Sequence, residues 1–329
     1  MRLRRVTELP ARLADIEQHD ILSIMPEPTL VSLEGERESP LFLSVLLHGN
    51  ETTSFAVLQN LAARFQDQRP SRSLMIFIGN VEAAAAGVRV LPGQDDFNRI
   101  WAGGDTQAER LATEVIDAAR GNRPFASIDI HNNTGSNPHY GCINALRPED
   151  MYLAGAFAQI GVYYNNPCTT QSIAFSKLCP AVTLECGKSG DTEGLERAMA
   201  LIDQVLALDT FPTQPQDPPE LFLTTGRVVI DANASFSFGE AETQLKIRSD
   251  IEDLNFRHMD AGEIFAECAD HSDAIRVLDE QNCDITSAFF LNDDGLVRLR
   301  RRAAISMATR DRAVIRQDCL CYFMHRIEA

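Results

Sequence analysis

The chain of 329 residues lacks the features that would place it in a membrane, secreted or disulfide-rich class. No apolar run approaches the ~18–20 residues that a transmembrane helix needs. Residues 1–20 begin with basic side chains but contain no unbroken apolar stretch, which argues against a secretory signal. The 8 cysteines include no C-x-x-C pair. In a chain of this size, that pattern favours reduced thiols in a cytoplasmic protein.

Basic residues are also scarce. The 30 Lys and Arg stand against 47 Asp and Glu, for a net charge of −17. Nucleic acids and anionic membranes attract basic surfaces, so we expect neither as a partner. An anionic small-molecule substrate would approach against this field, so a few well-placed arginines would have to attract it. A homo-oligomer is also consistent with the sequence.

The first two thirds of the chain alternate apolar runs with helix-like segments. Strands are predicted over 41–47, 74–78, 126–130 and 181–185, and helices over 53–65, 106–120, 151–160 and 192–208. This alternation predicts an α/β fold, with a parallel or mixed sheet that helices cover on both faces.

The sequence changes character after this region. Residues 211–220 contain four prolines, which predicts an extended linker. The runs that follow are short and β-like, over 221–230, 244–247, 263–268, 295–299 and 319–323. We therefore expect three parts: a large α/β domain over 1–210, the linker over 211–220, and a smaller, mainly-β domain over 221–329.

A candidate metal site lies where predicted strands end. His48 and Glu51 directly follow the first predicted strand, and Gly49 between them lets the backbone bend close to an ion. His131 follows the third predicted strand. Ligands gather beyond the carboxyl ends of strands in open α/β sheets, so these side chains are expected to converge. Two histidines and one carboxylate leave zinc an open position for catalysis. His139 is an alternative third ligand.

Glu185 is the candidate general base, because it ends the strand predicted over 181–185. Such a base takes a proton from water and returns it to the leaving amine. A glutamate that follows four apolar residues would be costly to bury without a partner. The alternative is a carboxylate at the start of the helix over 192–208. Asp129 could orient a ligand imidazole, although a structural hydrogen bond elsewhere explains it equally well.

Arg89, Asn98 and Arg99 are candidates for binding an anion. Arg99 follows Asn98 in a polar loop, and Arg89 lies just upstream. A guanidinium can hold a carboxylate through two parallel hydrogen bonds, and it can also stabilise a developing oxyanion. Each arginine taken alone is more often a solvated surface residue.

Five short motifs follow one another along the chain: H-G-N-E (48–51), G-N-x-E-A (79–83), D-x-N-R (96–99), D-x-H-N (129–132) and L-E-x-G (184–187). Their order resembles the succinylglutamate desuccinylase/aspartoacylase family, which is related to the zinc carboxypeptidases. The resemblance covers roughly residues 40–200. It implies a zinc carboxypeptidase-like mixed sheet flanked by helices, with an added C-terminal β domain that helps to shape the substrate cleft.

The resemblance also implies a role for each matching residue. One zinc ion per chain would be held by His48, Glu51 and His131. Glu185 would act as general base and acid, Arg89 would assist polarisation of the carbonyl, and Asn98 with Arg99 would hold a substrate carboxylate.

Gln171 marks a departure from that family. It stands where aspartoacylases have an arginine that helps to bind the second carboxylate of the substrate. A neutral amide cannot form a charged fork, so this substrate-binding position disfavours N-acetylaspartate.

The sequence therefore predicts a zinc-dependent hydrolase that cleaves the amide bond of a small anionic N-acyl amino acid by metal-activated water. A carboxypeptidase-type peptidase is an alternative, because it shares the metal chemistry. A non-catalytic zinc-bearing binding protein is another. Glu185 argues against the last, since zinc binding alone does not require a base.

Overall fold

The structure is a computed structural model, and it divides into two compact units. Unit 1 comprises Met1–Asn132 and His139–Glu220, and unit 2 comprises Asn133–Pro138 and Leu221–Ala329. Of the predicted linker, residues 214–217 lie outside the described residues, and the predicted domain boundaries remain a prediction. The residues that the structure describes are 2–165, 167–213, 218–239, 241–268 and 274–327.

Unit 1 alternates strands with helices. Its strands are β1 (Arg4–Val6), β2 (Thr29–Leu33), β3 (Arg37–Val45), β4 (Arg72–Ile78), β5 (Ala126–Asn133), β6 (Tyr140–Ile143), β7 (Ile160–Tyr163) and β8 (Ala181–Lys188). Its α-helices are α1 (Thr52–Arg64), α2 (Val81–Ala86), α3 (Gln107–Asn122), α4 (Pro148–Phe157), α5 (Gln171–Phe175) and α6 (Thr192–Ala207). Two 3₁₀ helices, Ala11–Ala14 and Gln18–Ser23, lie near the N-terminus.

The strands of unit 1 form a mixed sheet in the order β1-β2-β4-β3-β5-β8-β6-β7. The central strand β3 pairs in parallel with β4 and with β5. By contrast, β2 runs antiparallel to β4, and β6 runs antiparallel to β8. Every residue of β5 is buried, as expected for a strand in the middle of a sheet that is covered on both faces.

The strands predicted from apolar runs correspond to β3, β4, β5 and β8, and the predicted helices over 53–65, 106–120 and 192–208 correspond to α1, α3 and α6. The prediction failed where local pattern and sheet pairing disagree. A helix was predicted as far as residue 160, yet α4 ends at Phe157 and Ile160 begins β7. Strand β7 is only four residues long and pairs with β6, so tertiary pairing decides its conformation.

Unit 2 is rich in short strands. They are β9 (Glu220–Ile230), β10 (Phe236–Ser237), β11 (Leu245–Ile247), β12 (His258–Met259), β13 (Ile264–Cys268), β14 (Ile275–Leu278), β15 (Phe290–Asp293), β16 (Leu296–Leu299), β17 (Ala303–Ser306) and β18 (Cys321–Ile327). The helical segments are a 3₁₀ helix at Ile251–Leu254, α7 (Thr286–Phe289) and α8 (Arg312–Gln317).

Most strands of unit 2 pair antiparallel, whereas β10 and β11 pair in parallel, and together they surround an aromatic core. In one sheet β9 pairs with β14 and β18, and β17 pairs with β18 and β12. A 5-stranded sheet has the order β10-β11-β13-β16-β15. Phe289 stacks on Phe323 with ring centroids 5.1 Å apart, inside the buried cluster that both sheets share. The α/β fold with a mixed sheet flanked by helices and a smaller C-terminal β-rich part is confirmed.

Among the described residues, none of the helices combines the length and the apolar character that crossing a bilayer would demand.

Close packing of α4 on β6 provides a test of the fold of unit 1. A Cβ added at Gly141 would lie 2.8 Å from the Cα of Ala154, so Gly141→Ala must push the helix away from the sheet. We expect this change to lower the free energy of unfolding by about 1–3 kcal/mol, measured by urea denaturation. Gly121→Ala in α3 is the matched control, because its Cβ meets nothing within 4 Å. Equal stability of the two variants would contradict the packing.

Candidate metal centre and active site

The turn between β3 and α1 places two of the candidate ligands. After β3 ends at Val45, Leu46 adopts a φ of +56°, which turns the chain out of the sheet. Glu51 stands at the N-cap of α1, where the positive end of the helix dipole favours a carboxylate. A Cβ at Gly49 would lie 2.1 Å from the carbonyl carbon of Ala83, so this turn packs on α2 as only glycine allows.

The carboxylate of Glu51 joins the two histidines. Its Oε1 lies 2.7 Å from Nδ1 of His48, and its Oε2 lies 2.7 Å from Nδ1 of His131. All three side chains are buried. The backbone N–H of Asn132 donates to the same Oε2 at 3.2 Å. The histidine from the β3–α1 turn and the histidine from β5 therefore meet at one point, as the sequence predicted.

The outer nitrogen of each imidazole is also held by a carboxylate. Nε2 of His48 lies 3.0 Å from Oδ1 of Asp96, and Nε2 of His131 lies 2.9 Å from Oδ2 of Asp129. Asp129 in turn accepts from the hydroxyl of Ser44 at 2.6 Å. Carboxylates in this position fix the orientation and tautomer of histidines that bind metals. The orienting contact expected of Asp129 is thus present.

The charges of the cluster stabilise one another. Burial would raise the pKa of Glu51, but His48 and His131 outweigh it and hold that pKa well below its usual range. Burial opposes a charge on His131, yet Asp129 and Glu51 raise its pKa well above its ordinary value. The imidazole of His131 thus lies between two carboxylates that favour a positive charge on it. This arrangement of charges favours a cation at the centre of the cluster.

The donor set fits a divalent metal ion. One ligand atom each from His48, Glu51 and His131 can be chosen so that all of them lie within 4.8 Å of one another. Two imidazole nitrogens and a carboxylate oxygen are the protein ligands of many catalytic zinc sites, which keep a fourth position open. These three residues form the only group of metal-ligating side chains of this kind within the described parts of the chain.

His139, the alternative third ligand, lies elsewhere. Its Nε2 is 3.2 Å from Oδ2 of Asp191, the residue that caps α6 through the N–H of Gly194. The ring of His139 also meets the edge of Phe157. His139 therefore belongs to the packing around α4 and α6, and it is absent from the metal-ligating group.

Glu185 lies beside this cluster on the neighbouring strand. The N–H of Ser127 donates to the carbonyl of Pro180 at 2.9 Å, which aligns β5 with β8. This register places residue 131 beside residue 185, and paired residues of neighbouring strands point to the same face, so His131 and Glu185 emerge side by side. Oε2 of Glu185 is buried and has no hydrogen-bond partner. Burial raises the pKa of Glu185 to about 8, although the nearby His131 opposes this shift.

The two arginines enter the site from the loop before α3. The guanidinium of Arg89 lies 3.2 Å from Oδ2 of Asp96 and 3.9 Å from Oε1 of Glu51. Arg99 donates to the carbonyl of Asn98 at 2.9 Å and is half-buried. Burial would raise the pKa of Asp96, but the hydrogen bond with His48 and the charges of His48, Arg89 and Arg99 lower it well below its usual range.

Asn98 and Gln171 contact each other through a hydrogen bond. The Oδ1 atom of Asn98 accepts from the backbone N–H of Gln171 at 3.0 Å, and its Nδ2 lies 3.2 Å from Nε2 of His131. The side chain of Gln171 is fully buried and donates to Ser127 at 3.0 Å. The substrate-binding roles predicted for Asn98 and Gln171 stay predictions.

Sequence reasoning assigned no role to three residues that hold the site together. Asp96 orients His48, Ser44 supports Asp129, and Asn132 donates to Glu51. Asp96 and Asn132 each lie inside a motif singled out above, so their place in the chain was a usable signal. Nothing in the sequence marks Ser44, because its role depends on the register of β3 against β5, which pairs it with Asp129.

A buried histidine–carboxylate cluster at the edge of a mixed α/β sheet defines a candidate metallohydrolase centre. The family model for the succinylglutamate desuccinylase/aspartoacylase catalytic domain matches residues 39–208, which is half of the chain and includes every candidate site residue. The chain belongs to this family, whose members are deacylases. No curated protein matches the chain.

Solved structures of other proteins share the fold. Succinylglutamate desuccinylase from Vibrio parahaemolyticus is 16% identical with a TM-score of 0.61, and the match covers 90% of this chain and 84% of that one. Murine aminoacylase 3 is 16% identical with a TM-score of 0.59, over 89% of this chain and 97% of that one. A product-bound ectoine utilization protein from Ruegeria pomeroyi is 15% identical with a TM-score of 0.57, over 91% and 88%.

Measurements of zinc affinity can decide whether His131 or His139 is the third ligand. Loss of a residue that only orients a ligand lowers metal affinity by ~10–100-fold. His131→Ala removes a ligand itself, so we expect its zinc affinity to fall by more than that. His139→Ala is the matched control and should hold one zinc ion per chain with unchanged affinity. Both are measured by competition with a chromophoric chelator. Weaker binding by the His139 variant alone would show that the ligand set is wrong.

The unpartnered carboxyl of Glu185 predicts a pH-dependent stability in chelator-treated protein. Because the folded-state pKa is raised to about 8, the folded chain retains a proton that the unfolded chain releases once the pH exceeds the ordinary value near 4.5. The contribution of this group to stability therefore falls as pH rises through that window. Glu185→Gln removes the effect. The free energy of unfolding of the variant minus that of the wild type should therefore rise by up to a few kcal/mol between pH 5 and pH 8. A difference that does not change with pH would contradict the buried, unpaired state of Glu185.

Proposed function

We propose that this protein is a zinc-dependent hydrolase that cleaves the amide bond of a small anionic N-acyl amino acid. Membership of a deacylase family and the His48–Glu51–His131 group support this reaction class. Similar folds occur in a succinylglutamate desuccinylase and an aminoacylase, whose names describe the removal of acyl groups from amino acids. The absence of a membrane-spanning helix in the described residues is compatible with the proposed cytoplasmic location.

The observation that carries the proposal is the state of Glu185. A site that merely stored a metal ion would gain nothing from a buried carboxyl group without a partner, because desolvation of an unpaired acid destabilises the fold. Glu185 lies beside His131 with Oε2 unpaired, and its pKa is raised to about 8 by burial. A pKa near the working pH is what a group that both accepts and returns a proton requires.

The residues of the site divide the reaction among them. A zinc ion held by His48, Glu51 and His131 would act as a Lewis acid on the carbonyl and would lower the pKa of water. Glu185 would accept the proton of the attacking water and return it to the leaving amine. Arg89, 3.9 Å from Glu51, would stabilise the negative charge that develops on the carbonyl oxygen.

Substrate anchoring is assigned to Arg99 with Asn98. Arg99 is half-buried beside Asp96, and its guanidinium can hold a carboxylate through two parallel bonds. The net charge of −17 makes such a local cation necessary for an anionic substrate. Gln171 is fully buried on Ser127, so we assign it to support of Asn98 through its backbone N–H. A neutral residue there continues to disfavour a second substrate carboxylate.

Kinetics on an acyl panel test the proposal. Zinc-loaded protein should hydrolyse one or more N-acetyl, N-succinyl or N-formyl amino acids faster than short peptides. Glu185→Gln should retain zinc and lose at least ~10²-fold in kcat on the best substrate, because general acid–base catalysis contributes that much.

Glu82→Gln is the matched control, since Glu82 is exposed in the neighbouring G-N-x-E-A motif and should leave kcat unchanged. Preference for peptides would replace the deacylase proposal with the peptidase alternative. Unchanged turnover in Glu185→Gln would remove Glu185 from the mechanism. Stoichiometric zinc without turnover of any substrate would favour a binding protein.

A further inference from the structure

The loop of residues 87–99 delivers four side chains to the site, those of Arg89, Asp96, Asn98 and Arg99. Arg89 and Asp96 lie 3.2 Å apart although six residues separate them. Between them the chain folds back on itself: the N–H of Gln94 donates to the carbonyl of Leu91 at 3.0 Å. Pro92 and Gly93 fill the central positions, and Gly93 has a φ of +77°, as a type II turn demands.

Gln94 fastens this turn to the sheet. Its Oε1 accepts from Nδ2 of Asn80 at 2.8 Å, and its Nε2 donates to Oδ1 of Asn80 at 3.0 Å. The same Oε1 also accepts from the backbone N–H of Leu91 at 3.1 Å. Two reciprocal hydrogen bonds between the side-chain amides fix both the distance between these side chains and their rotation. A single hydrogen bond would not fix the rotation.

Asn80 is a rigid partner for this contact. It is 1% exposed, lies two residues after the end of β4, and donates its backbone N–H to the carbonyl of Leu46 at 2.7 Å. Its Oδ1 also caps α2 by accepting from the N–H of Ala83 at 3.2 Å. The turn of the loop is thereby tied to the end of β4 and to the start of α2, both of which belong to the buried framework of unit 1.

Both ends of the loop reach the metal ligands. The carbonyl of Arg89 accepts from the N–H of Gly49 at 3.1 Å, next to His48, and Asp96 contacts Nε2 of His48 at 3.0 Å. A shift of the turn would therefore move the Arg89 guanidinium relative to Glu51.

We propose that Gln94 is a positioning residue that acts through Asn80 to hold Arg89 against the metal centre. This inference rests on the proposed function for its kinetic consequences. The geometry it describes does not, because the 87–99 loop is tied down whether or not the site hydrolyses an amide.

The test compares Gln94→Ala and Gln94→Glu with Asp95→Asn, which changes the exposed residue directly after the turn. Gln94→Ala should lower kcat about 10-fold with KM within about twofold, since misplacement by a fraction of an ångström affects the transition state most. Gln94→Glu should be impaired as well, because its carboxylate faces Oδ1 of Asn80 without a proton to donate. Zinc affinity should match the wild type in every variant.

A double-mutant cycle separates positioning from a general structural role. If Gln94 acts through Arg89, then Gln94→Ala should cost less than about 3-fold in kcat in an Arg89→Ala background, because the two changes affect one interaction. An equal cost in both backgrounds, or a loss of zinc from Gln94→Ala, overturns the proposal.

Hydrogen–deuterium exchange supplies a readout that does not depend on activity. Peptides covering 87–99 should exchange at least about 10-fold faster in Gln94→Ala than in the wild type, and those of Asp95→Asn should not. Unchanged exchange in Gln94→Ala overturns the proposal even if the protein hydrolyses nothing. Accelerated exchange in a protein without hydrolytic activity would instead uphold the positioning role and reject the proposed function.

Discussion

The carboxylate of Glu51, shared between two imidazoles, is the interaction around which the rest of the site is organised. Its two oxygens each lie 2.7 Å from a histidine nitrogen, and Asp96 and Asp129 hold the outer nitrogens of the same rings. The five ionisable groups of this row, all buried except the half-buried Asp96, tolerate low dielectric because carboxylates and imidazoles alternate along it. The cluster is therefore rigid, and its centre suits a cation.

This constraint explains how the surrounding segments are built. The turn after β3 must pass within van der Waals reach of α2, which leaves room only for Gly49. The 87–99 loop must place both Arg89 and Asp96 beside the histidines, so it is folded into a Pro-Gly turn and bound to Asn80. Oε2 of Glu185 remains buried without a hydrogen-bond partner, as an atom kept for chemistry can be.

Much of the α/β unit could be predicted because its strands are buried on both faces. A strand such as β5, buried along its whole length, leaves an apolar run in the sequence that no loop would tolerate. Four strands of unit 1 were missed, namely β1, β2, β6 and β7. Of these, β6 and β7 are four residues long and too short to show a period. Their conformation depends on pairing with each other and with β8.

The candidate ligands and the candidate general base were accessible from the chain alone, since a histidine or glutamate at the end of an apolar strand emerges at a predictable edge of the sheet. Folding decided what no linear pattern encodes. It set the register that puts Ser44 opposite Asp129, it brought Asp96 to His48, and it turned His139 toward Asp191 instead of the metal centre. Residue type and spacing report which atoms can bind or react. The distances between atoms from separate segments arise only when the sheet and its loops pack together.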